Sequence, residues 1–483
     1  MKNLISKICI ATMALFLMVG CSKEFLDEPV PTDGVSPEVV FGSRKGVEAF
    51  ISGIMREFRE QFSTTDTPSA TDTAGLNSIF FARSVKGNDL ILANNWFGSD
   101  YENNNREPTY RRTKFVWTYC YFMINQANTL IQGVEGSSAL GDADKKELAA
   151  YGYALRGFFY HQLVLDYCPS YSVDLNYPAP PIYTEPTKTG KAMSTVGELY
   201  KFIESDLIKA VDGLTSDRLG KSYINKNVAN GILAEVYQVM GNWSGAATAA
   251  NASYGGNPTA VLNSAGYRSG FDDYTNIEWI WGSAQRSDQS NYYYNAPASM
   301  MDHMVPSYAC GFINRDFVSL FSPTDVRGYF QKKSASITDV NDYRYWITRK
   351  FAFSFSGDNA IIRTPEMILI EAEAKVRLGD DNGGHALLYI LQKNRDVNAI
   401  KSTATGSALI DEILVERRKE LYGENGIEWF DAKRLRRGIT RTGNHRVGAV
   451  ASLTADDKRF FLKIPQVEID ANPLIPKDIN NNR

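Results

Sequence analysis

The sequence predicts a mostly α-helical fold in which paired helices carry one large irregular insertion. Three observations support this prediction. Apolar residues recur at three- and four-residue spacing in three separate stretches, which is the pattern of amphipathic helices. Each stretch is interrupted by a turn and then resumes, so each predicts a hairpin of two antiparallel helices. Between about residues 253 and 360 the periodicity fades, while Gly, Ser, Asn, Asp and Tyr become frequent, which indicates loops and short strands.

The three hairpins can be placed along the chain from their caps and turns. The first begins with a helix over 115–130, turns within a glycine-containing stretch and returns to end at Pro169. The second opens at Thr195, which has the capping-box spacing to Glu198; its return helix leads into the small-residue run "NWSGAATAANA". The third opens with Thr364 as its cap. Its predicted apolar face contains Met367, Ile370, Ala374 and Leu378.

Helix pairs joined by turns such as "GNW" and "GDD" are typical of tetratricopeptide-like units. The pairs do not follow the repeat of about 34 residues that such units have in regular arrays. We therefore expect a decorated helical scaffold and not a regular solenoid. Within the insertion, "NIEWIWGSAQ" alternates like a short strand. We assign its two tryptophans, Trp279 and Trp281, mainly to the core.

The first 20 residues have the layout of a secretory signal that ends at a lipid-anchoring cysteine. Two lysines precede an apolar run over 8–19, which is too short to cross a membrane because a spanning helix needs about 20 apolar residues. The following "MVGC" resembles the bacterial lipobox, in which the chain is cut before the cysteine and that cysteine is acylated. We expect residues 1–20 to be removed, Cys21 to be the lipid anchor, and 21–483 to form a single domain. The alternative is a buried Cys21 after a signal that is cut elsewhere.

Composition narrows the classes of function. The formal net charge of −3 becomes −5 when the two leader lysines are removed, so no basic surplus favours nucleic acid. Hydrophobic residues make up 43% of the chain and supply a large core, and the aromatic share of 12% favours stacking surfaces as well as packing. The cysteines after Cys21 number three, an odd number with no CxxC pair, so we expect no disulfide framework.

The stretch "ERRKELYGENGIEWFDAKR" clusters acidic and basic residues and admits two interpretations. A pair of its carboxylates could serve as the acid and base of a glycosidase. Acids and arginines at helical spacing more often form structural ion-pair networks, and this is the interpretation we prefer. The residues concerned are Glu416, Arg417, Arg418, Glu420, Glu428, Asp431 and Arg434.

Other candidates for chemistry are poorly supported by their surroundings in the sequence. Cys310 follows His303 closely enough to suggest a thiol nucleophile, but no known local signature surrounds it. The four histidines are scattered and lack the spacing of metal ligands. No glycine-rich phosphate loop or calcium-binding loop occurs in the sequence. We therefore expect no catalytic residue, no metal and no cofactor.

Seven stretches follow one another along the chain: "CSKEFLDEP", "FGSRKGVEAFISGIMREFRE", "YALRGFFYHQLVLDYCP", "VANGILAEVYQVMGNWSGA", "EMILIEAEAKVRLGD", "ILVERRKELYGENGIEWFDAKRLRRG" and "IPQVEIDANP". In this order they resemble the SusD/RagB family of outer-membrane nutrient-uptake lipoproteins, and together they span nearly the whole mature chain. The sequence departs from the family pattern at its end, where "LIPKDIN" stands, and near "LLYILQKNRDVN".

The resemblance implies a SusD-like fold with tetratricopeptide-like hairpins and an irregular ligand-binding half. It also implies a function at the cell surface, where the lipid-anchored protein would capture oligosaccharide and deliver it to a SusC-like TonB-dependent transporter in the outer membrane. Three alternatives stay open at this point. The protein could be a peptide-binding member of the family, a surface-anchored hydrolase on the same scaffold, or a lid that only gates the transporter.

Two aromatic, amide-rich loops are the candidate ligand-binding segments, over 94–105 and 289–311. Aromatic rings stack on the flat apolar faces of sugars while amides bind their hydroxyl groups, and comparable regions supply ligand residues in the family. For Trp96 a core position is the alternative; for each tyrosine of 292–294 it is packing or transporter contact. The candidate residues are Trp96, Tyr101, Tyr292, Tyr293, Tyr294 and Tyr308.

Overall fold

The computed structural model describes residues 36–58, 71–93, 95–285, 298–446 and 452–483. Cys21 and the leader lie outside these ranges, so the anchor stays a prediction. No helix in the described ranges is both long enough and apolar enough to span a membrane.

Helices dominate the described residues, as the sequence predicts. They are α1 (Pro37–Val40), α2 (Arg44–Arg56), α3 (Gly75–Ser84), α4 (Gly98–Tyr101), α5 (Arg111–Gly136), α6 (Asp142–Tyr167), α7 (Val196–Gly213), α8 (Lys226–Met240), α9 (Trp243–Tyr254), α10 (Pro258–Val261), α11 (Ala298–Met301), α12 (Arg315–Val318), α13 (Thr364–Arg377), α14 (Asp381–Arg395), α15 (Gly406–Leu421), α16 (Ile427–Arg434) and α17 (Gln466–Ala471).

Short strands occur between the helices. They are β1 (Leu90–Leu92), β2 (Pro178–Ala179), β3 (Ser194–Thr195), β4 (Trp279–Ser283), β5 (Gly311–Ile313), β6 (Phe330–Lys332), β7 (Trp346–Thr348) and β8 (Asn359–Arg363). Four of them form an antiparallel sheet in the order β1-β5-β7-β6. The pairs β2–β3 and β4–β8 are separate two-stranded sheets.

The first two hairpins form, although α5 runs from Arg111 to Gly136 and so extends beyond the predicted 115–130 at both ends. Helix α6 packs between α5 and α7, and for this reason nearly every residue over 148–167 is buried. At the start of α7 the hydroxyl of Thr195 accepts from the Glu198 amide at 3.2 Å, while the Glu198 carboxylate accepts from the Thr195 amide at 2.9 Å. This is the capping box in both directions. The three cysteines of the described residues, Cys120, Cys168 and Cys310, are free and buried.

The third hairpin, α13 and α14, differs from its prediction at both ends of the first helix. The N-cap is Arg363 and Thr364 is the first helical residue, so the helix begins one residue earlier than predicted. Ile370 is completely buried, but Leu378 is 56% exposed. Its placement on the apolar face was wrong because α13 ends at Arg377 and Leu378 is the C-cap, followed by Gly379 at φ +87°. A residue past the last helical turn no longer follows the helical face.

The buried apolar residues form two cores. The larger lies between the helices, and the smaller contains the four-stranded sheet. The strand predicted around Trp279 is confirmed as β4, although all five of its residues are buried. Trp279 packs in the smaller core and Trp281 in the larger, so β4 connects the two. The smaller core also takes Phe81, Phe97 and Tyr422 from outside the insertion.

Candidate functional site

Trp96 and Tyr308 meet on the surface beside the four-stranded sheet. Their ring centroids are 4.8 Å apart with an interplanar angle of 65°, an edge-to-face contact. Trp96 is 43% exposed, and Tyr308 is half-buried. The structure thus brings together one predicted residue from each of the two aromatic loops, and it excludes the core position that was the alternative for Trp96.

The backbone on both sides of Trp96 is held against the segment that carries Tyr308. The Asn95 side-chain oxygen accepts from the Phe97 amide at 2.9 Å, and its NH₂ group donates to the Cys310 sulfur at 2.7 Å. The Ala93 amide donates to the Cys310 carbonyl at 2.8 Å and thereby extends the β1–β5 pairing. These bonds fix the backbone on both sides of Trp96, and the ring itself contacts Tyr308.

The loop that carries Tyr308 is anchored in a comparable way. The Tyr308 amide donates to the carbonyl of Ser299 at 3.0 Å. The carboxylate of Asp302 accepts from the Met304 amide at 2.7 Å and from the Phe353 amide at 2.8 Å. The loop therefore has a firm base on which side chains can be presented to solvent, as is common for binding residues.

Met304 and Val305 extend the exposed apolar surface of this loop. They are 50% and 42% exposed, and Met304 accepts a weak bond from the Gln331 side chain at 3.5 Å. We call Trp96, Tyr308, Met304 and Val305 together the Trp96 platform. Sequence reasoning selected the loop but missed Met304 and Val305, because exposed aliphatic residues carry no signal that separates them from core residues.

Tyr101 does not belong to this surface, which corrects its assignment as a ligand-binding residue. It has no exposed surface. Its hydroxyl lies 2.7 Å from the Nδ1 atom of His445, and the Arg441 guanidinium lies 4.4 Å from its ring centroid. Both the hydroxyl and a ring face are thus occupied by the protein itself. Tyr292, Tyr293 and Tyr294 lie outside the described residues, and their role stays a prediction.

Cys310 is not placed as a nucleophile. Burial raises the pKa of its thiol to about 12, so the reactive thiolate is scarce at neutral pH. The Nε2 atom of His303 lies 2.7 Å from the carbonyl oxygen of Gly311 and is engaged there. Within the described residues, no group of three or more His, Cys, Asp or Glu could hold a metal ion.

The acidic and basic stretch of α15 and α16 forms a buried ion-pair network. Glu420 accepts hydrogen bonds from Arg327, Arg363 and Arg395 at 2.9 to 3.2 Å. Glu424 pairs with Lys350 at 2.6 Å. The network geometry matches the interpretation that we preferred from the sequence. The Glu420 carboxylate is enclosed by guanidinium groups and has no open side for a substrate, so the structure does not place Glu420 as a glycosidase acid or base.

Three grooves of the described surface lie away from the Trp96 platform. Their volumes are about 290, 380 and 560 Å³, and none of their lining residues is a sequence-predicted candidate. The largest lies along α1 and α2, another lies between α2, α6 and the segment 214–224, and the third follows α5. The platform differs from these grooves in being an open surface, where Trp96 is 43% exposed.

Comparison with known proteins agrees with this architecture. A family model described as "Starch-binding associating with outer membrane" matches residues 52–238, and the model of the SusD family matches residues 316–482. Among curated proteins, no match was found.

Solved structures match over almost the whole chain. A SusD-like carbohydrate-binding protein from Bacteroides vulgatus is 25% identical, with a TM-score of 0.81, and the match covers 90% of this chain and 98% of that one. A SusD superfamily protein from Bacteroides thetaiotaomicron is 23% identical, with a TM-score of 0.77 and coverage of 90% and 99%. Surface glycan-binding protein A from the same species, in complex with laminarihexaose, is 15% identical, with a TM-score of 0.68 and coverage of 88% and 97%. The helical scaffold, the two cores and both family models agree: this chain belongs to the SusD/RagB family.

Proposed function

We propose that this protein binds oligosaccharide at the cell surface through the Trp96 platform and delivers it to a SusC-like TonB-dependent transporter. The observation that carries the proposal is an exposed tryptophan ring held in place beside Tyr308 by bonds through Asn95 and Cys310. Such a ring offers a flat apolar face to a sugar at little cost in conformational entropy. The carbohydrate ligand is supported by the starch-binding family model and by the SusD-like carbohydrate-binding protein that shares this fold.

The platform suits capture and transfer better than a reaction. Its described residues are aromatic or aliphatic and include no carboxylate pair, thiolate or metal group. A ligand on such an open surface makes few contacts, so we expect modest affinity and rapid release. Rapid release is what delivery to a transporter requires. The Tyr292–Tyr294 cluster would add further ring faces from the neighbouring segment of the same loop.

Replacing Trp96 by alanine should weaken glycan binding about fivefold or more, because a truncated aromatic anchor typically costs above 1 kcal/mol and up to 2 or more. Calorimetry with the purified protein measures this, using laminarihexaose first and then a panel of glycans and peptides. Tyr110→Ala is the matched control, since that ring is also 43% exposed but lies outside the platform.

Two outcomes would contradict the binding role of Trp96. One is unchanged affinity in Trp96→Ala for every ligand that binds the wild type. The other is a fall in melting temperature large enough to explain the lost affinity by unfolding. If only peptides bind, the ligand is a peptide, as in the alternative that the family resemblance left open, and not an oligosaccharide.

We also propose that Cys21 is acylated and anchors the protein in the outer membrane. The support is the apolar run that ends in "MVGC" and the family model for proteins associated with that membrane. Cys21→Ala should move the protein from the membrane fraction to the soluble fraction, or leave its leader uncleaved, as fractionation and mass spectrometry would show. An unmodified Cys21 in membrane-bound wild-type protein would rule out the anchor.

A further inference from the structure

A groove of about 380 Å³ follows one face of α5, a helix that belongs to the larger core. Trp117, Tyr121 and Asn125 line it at four-residue spacing, so they share one face of the helix. The segment between β2 and β3 forms the opposite wall, and α17 closes one end with Glu468. The volume lies within the range of small-molecule sites, which is about 300 to 1,000 Å³. We call this cavity the α5 groove.

Aromatic rings run along the α5 groove and are fixed by hydrogen bonds. The ring centroids of Trp117 and Tyr121 are 4.9 Å apart, and those of Tyr121 and Tyr183 are 5.6 Å apart. The Tyr121 hydroxyl donates to the Pro181 carbonyl at 2.7 Å. The Lys191 amide donates to the Tyr183 hydroxyl at 3.1 Å. The rings are therefore arranged before any ligand arrives, and Tyr121 and Tyr183 are each half-buried.

Hydrogen-bonding groups surround these rings. Thr118, Asn125 and Glu185 line the groove and are exposed, while Glu468 accepts from the Trp117 indole N–H at 3.3 Å. In the described part of the chain neither glutamate forms an ion pair, although Glu468 also accepts from the Asn472 side chain at 3.3 Å. A carboxylate oxygen can accept more than one hydrogen bond, so both side chains can still accept from hydroxyl donors. The ammonium group of Lys191 lies 5.6 Å from the Tyr183 ring centroid and opposes the approach of a second cation.

We propose that the α5 groove is a second binding site, for a neutral saccharide unit. Sugars need ring faces for their apolar sides and mixed acceptors for their hydroxyl groups, and the groove supplies both. A basic peptide would use the carboxylates but meet Lys191, and an acidic sugar would meet two like charges from Glu185 and Glu468. The inference rests on the proposed carbohydrate ligand but not on the Trp96 platform, which shares no residue with the groove.

The test compares variants of the full-length protein in calorimetric titrations. The first variant is Asn125→Ala with Glu185→Gln, which changes exposed groups that hold no other element in place. The second is Tyr183→Leu, which removes a ring. Asn398→Ala, an exposed asparagine outside both sites, is the control. The probes are a panel of neutral hexasaccharides that includes laminarihexaose, a hexagalacturonate and a hexalysine peptide.

If the groove binds sugar, both groove variants lose at least tenfold in affinity at one site for a neutral hexasaccharide. That site survives in Trp96→Ala, while hexagalacturonate binds at least tenfold more weakly. Three results would overturn the proposal: loss of all sugar binding in Trp96→Ala, unchanged affinity in both groove variants for every neutral probe, or groove-dependent binding of hexalysine alone. Failure of the Trp96 platform is a separate result, because Trp96→Ala would then bind sugars like the wild type.

Discussion

Replacing Glu420 by alanine is expected to lower the free energy of unfolding by about 3 to 5 kcal/mol. The side chain has no exposed surface, and its carboxylate bonds the guanidinium groups of Arg327, Arg363 and Arg395. Burial by itself would raise the pKa of Glu420, but these three positive groups outweigh it and hold the pKa well below its ordinary value. The variant would leave the guanidinium groups buried with fewer compensating charges.

The effect is expected to be large because the three arginines come from separate parts of the chain. Arg363 ends β8, Arg395 ends α14, and Arg327 follows α12. The Glu420 carboxylate therefore connects the helical scaffold to the segment that carries the four-stranded sheet. Glu420→Gln should lose most of the same stability, since an amide keeps the shape of the side chain but not its charge.

Urea denaturation measures this loss, and an exposed ion pair gives the control. Asp411 lies 2.7 Å from Arg437, and its side chain is 57% exposed. Asp411→Ala should cost no more than about 1 kcal/mol, because solvent screens surface pairs. Equal losses for Glu420→Ala and Asp411→Ala would contradict a stabilising role of the buried network.

Replacing Ile370 by alanine is expected to cost about 2 to 5 kcal/mol, the range for a large aliphatic residue removed from a packed core. Ile370 has no exposed surface and lies on α13, which packs against α9, α14 and α15. A cavity at this position would have helices on several sides. Because these helices also pack against other helices, they can relax into the cavity only in part.

Leu378→Ala is the matched control, since Leu378 follows the same helix but is 56% exposed. It should change stability by no more than about 0.5 kcal/mol. Both changes in stability can be read from the shift of the urea midpoint, provided that the dependence of the unfolding free energy on urea concentration is unchanged. A loss in Leu378→Ala as large as that in Ile370→Ala would mean that the core of the scaffold does not lie along α13.

For the candidate site, the sequence identified the two loops but not the exposure of their rings. Trp96 and Tyr101 lie five positions apart in the same polar, aromatic stretch, and nothing local separates them. The exposed ring lies beside Tyr308 and the buried one against His445 and Arg441. The partners are more than 200 positions away in the sequence, so only the folded chain could distinguish the two.

The α5 groove was missed for a different reason, because its rings have the sequence pattern of core residues. Trp117 and Tyr121 have the spacing of core residues, and sequence reasoning had no cause to select them. Trp117 is indeed 5% exposed and belongs to the larger core. Its edge nevertheless forms part of a groove because the segment after β2 approaches α5 without covering it. Whether a helical face is covered depends on a segment more than 60 residues away.

The sequence by itself determined the helical hairpins, the capping box at Thr195 and Glu198, and the turn at Gly379. These features depend on groups within a few positions of each other, so local spacing is enough to predict them. The tertiary structure alone decided which rings are exposed, which segments join the smaller core, and how Glu420 meets three arginines. Burial and ion pairing are set by neighbours brought together from distant parts of the chain, and the helical pattern carries no record of which neighbours those are.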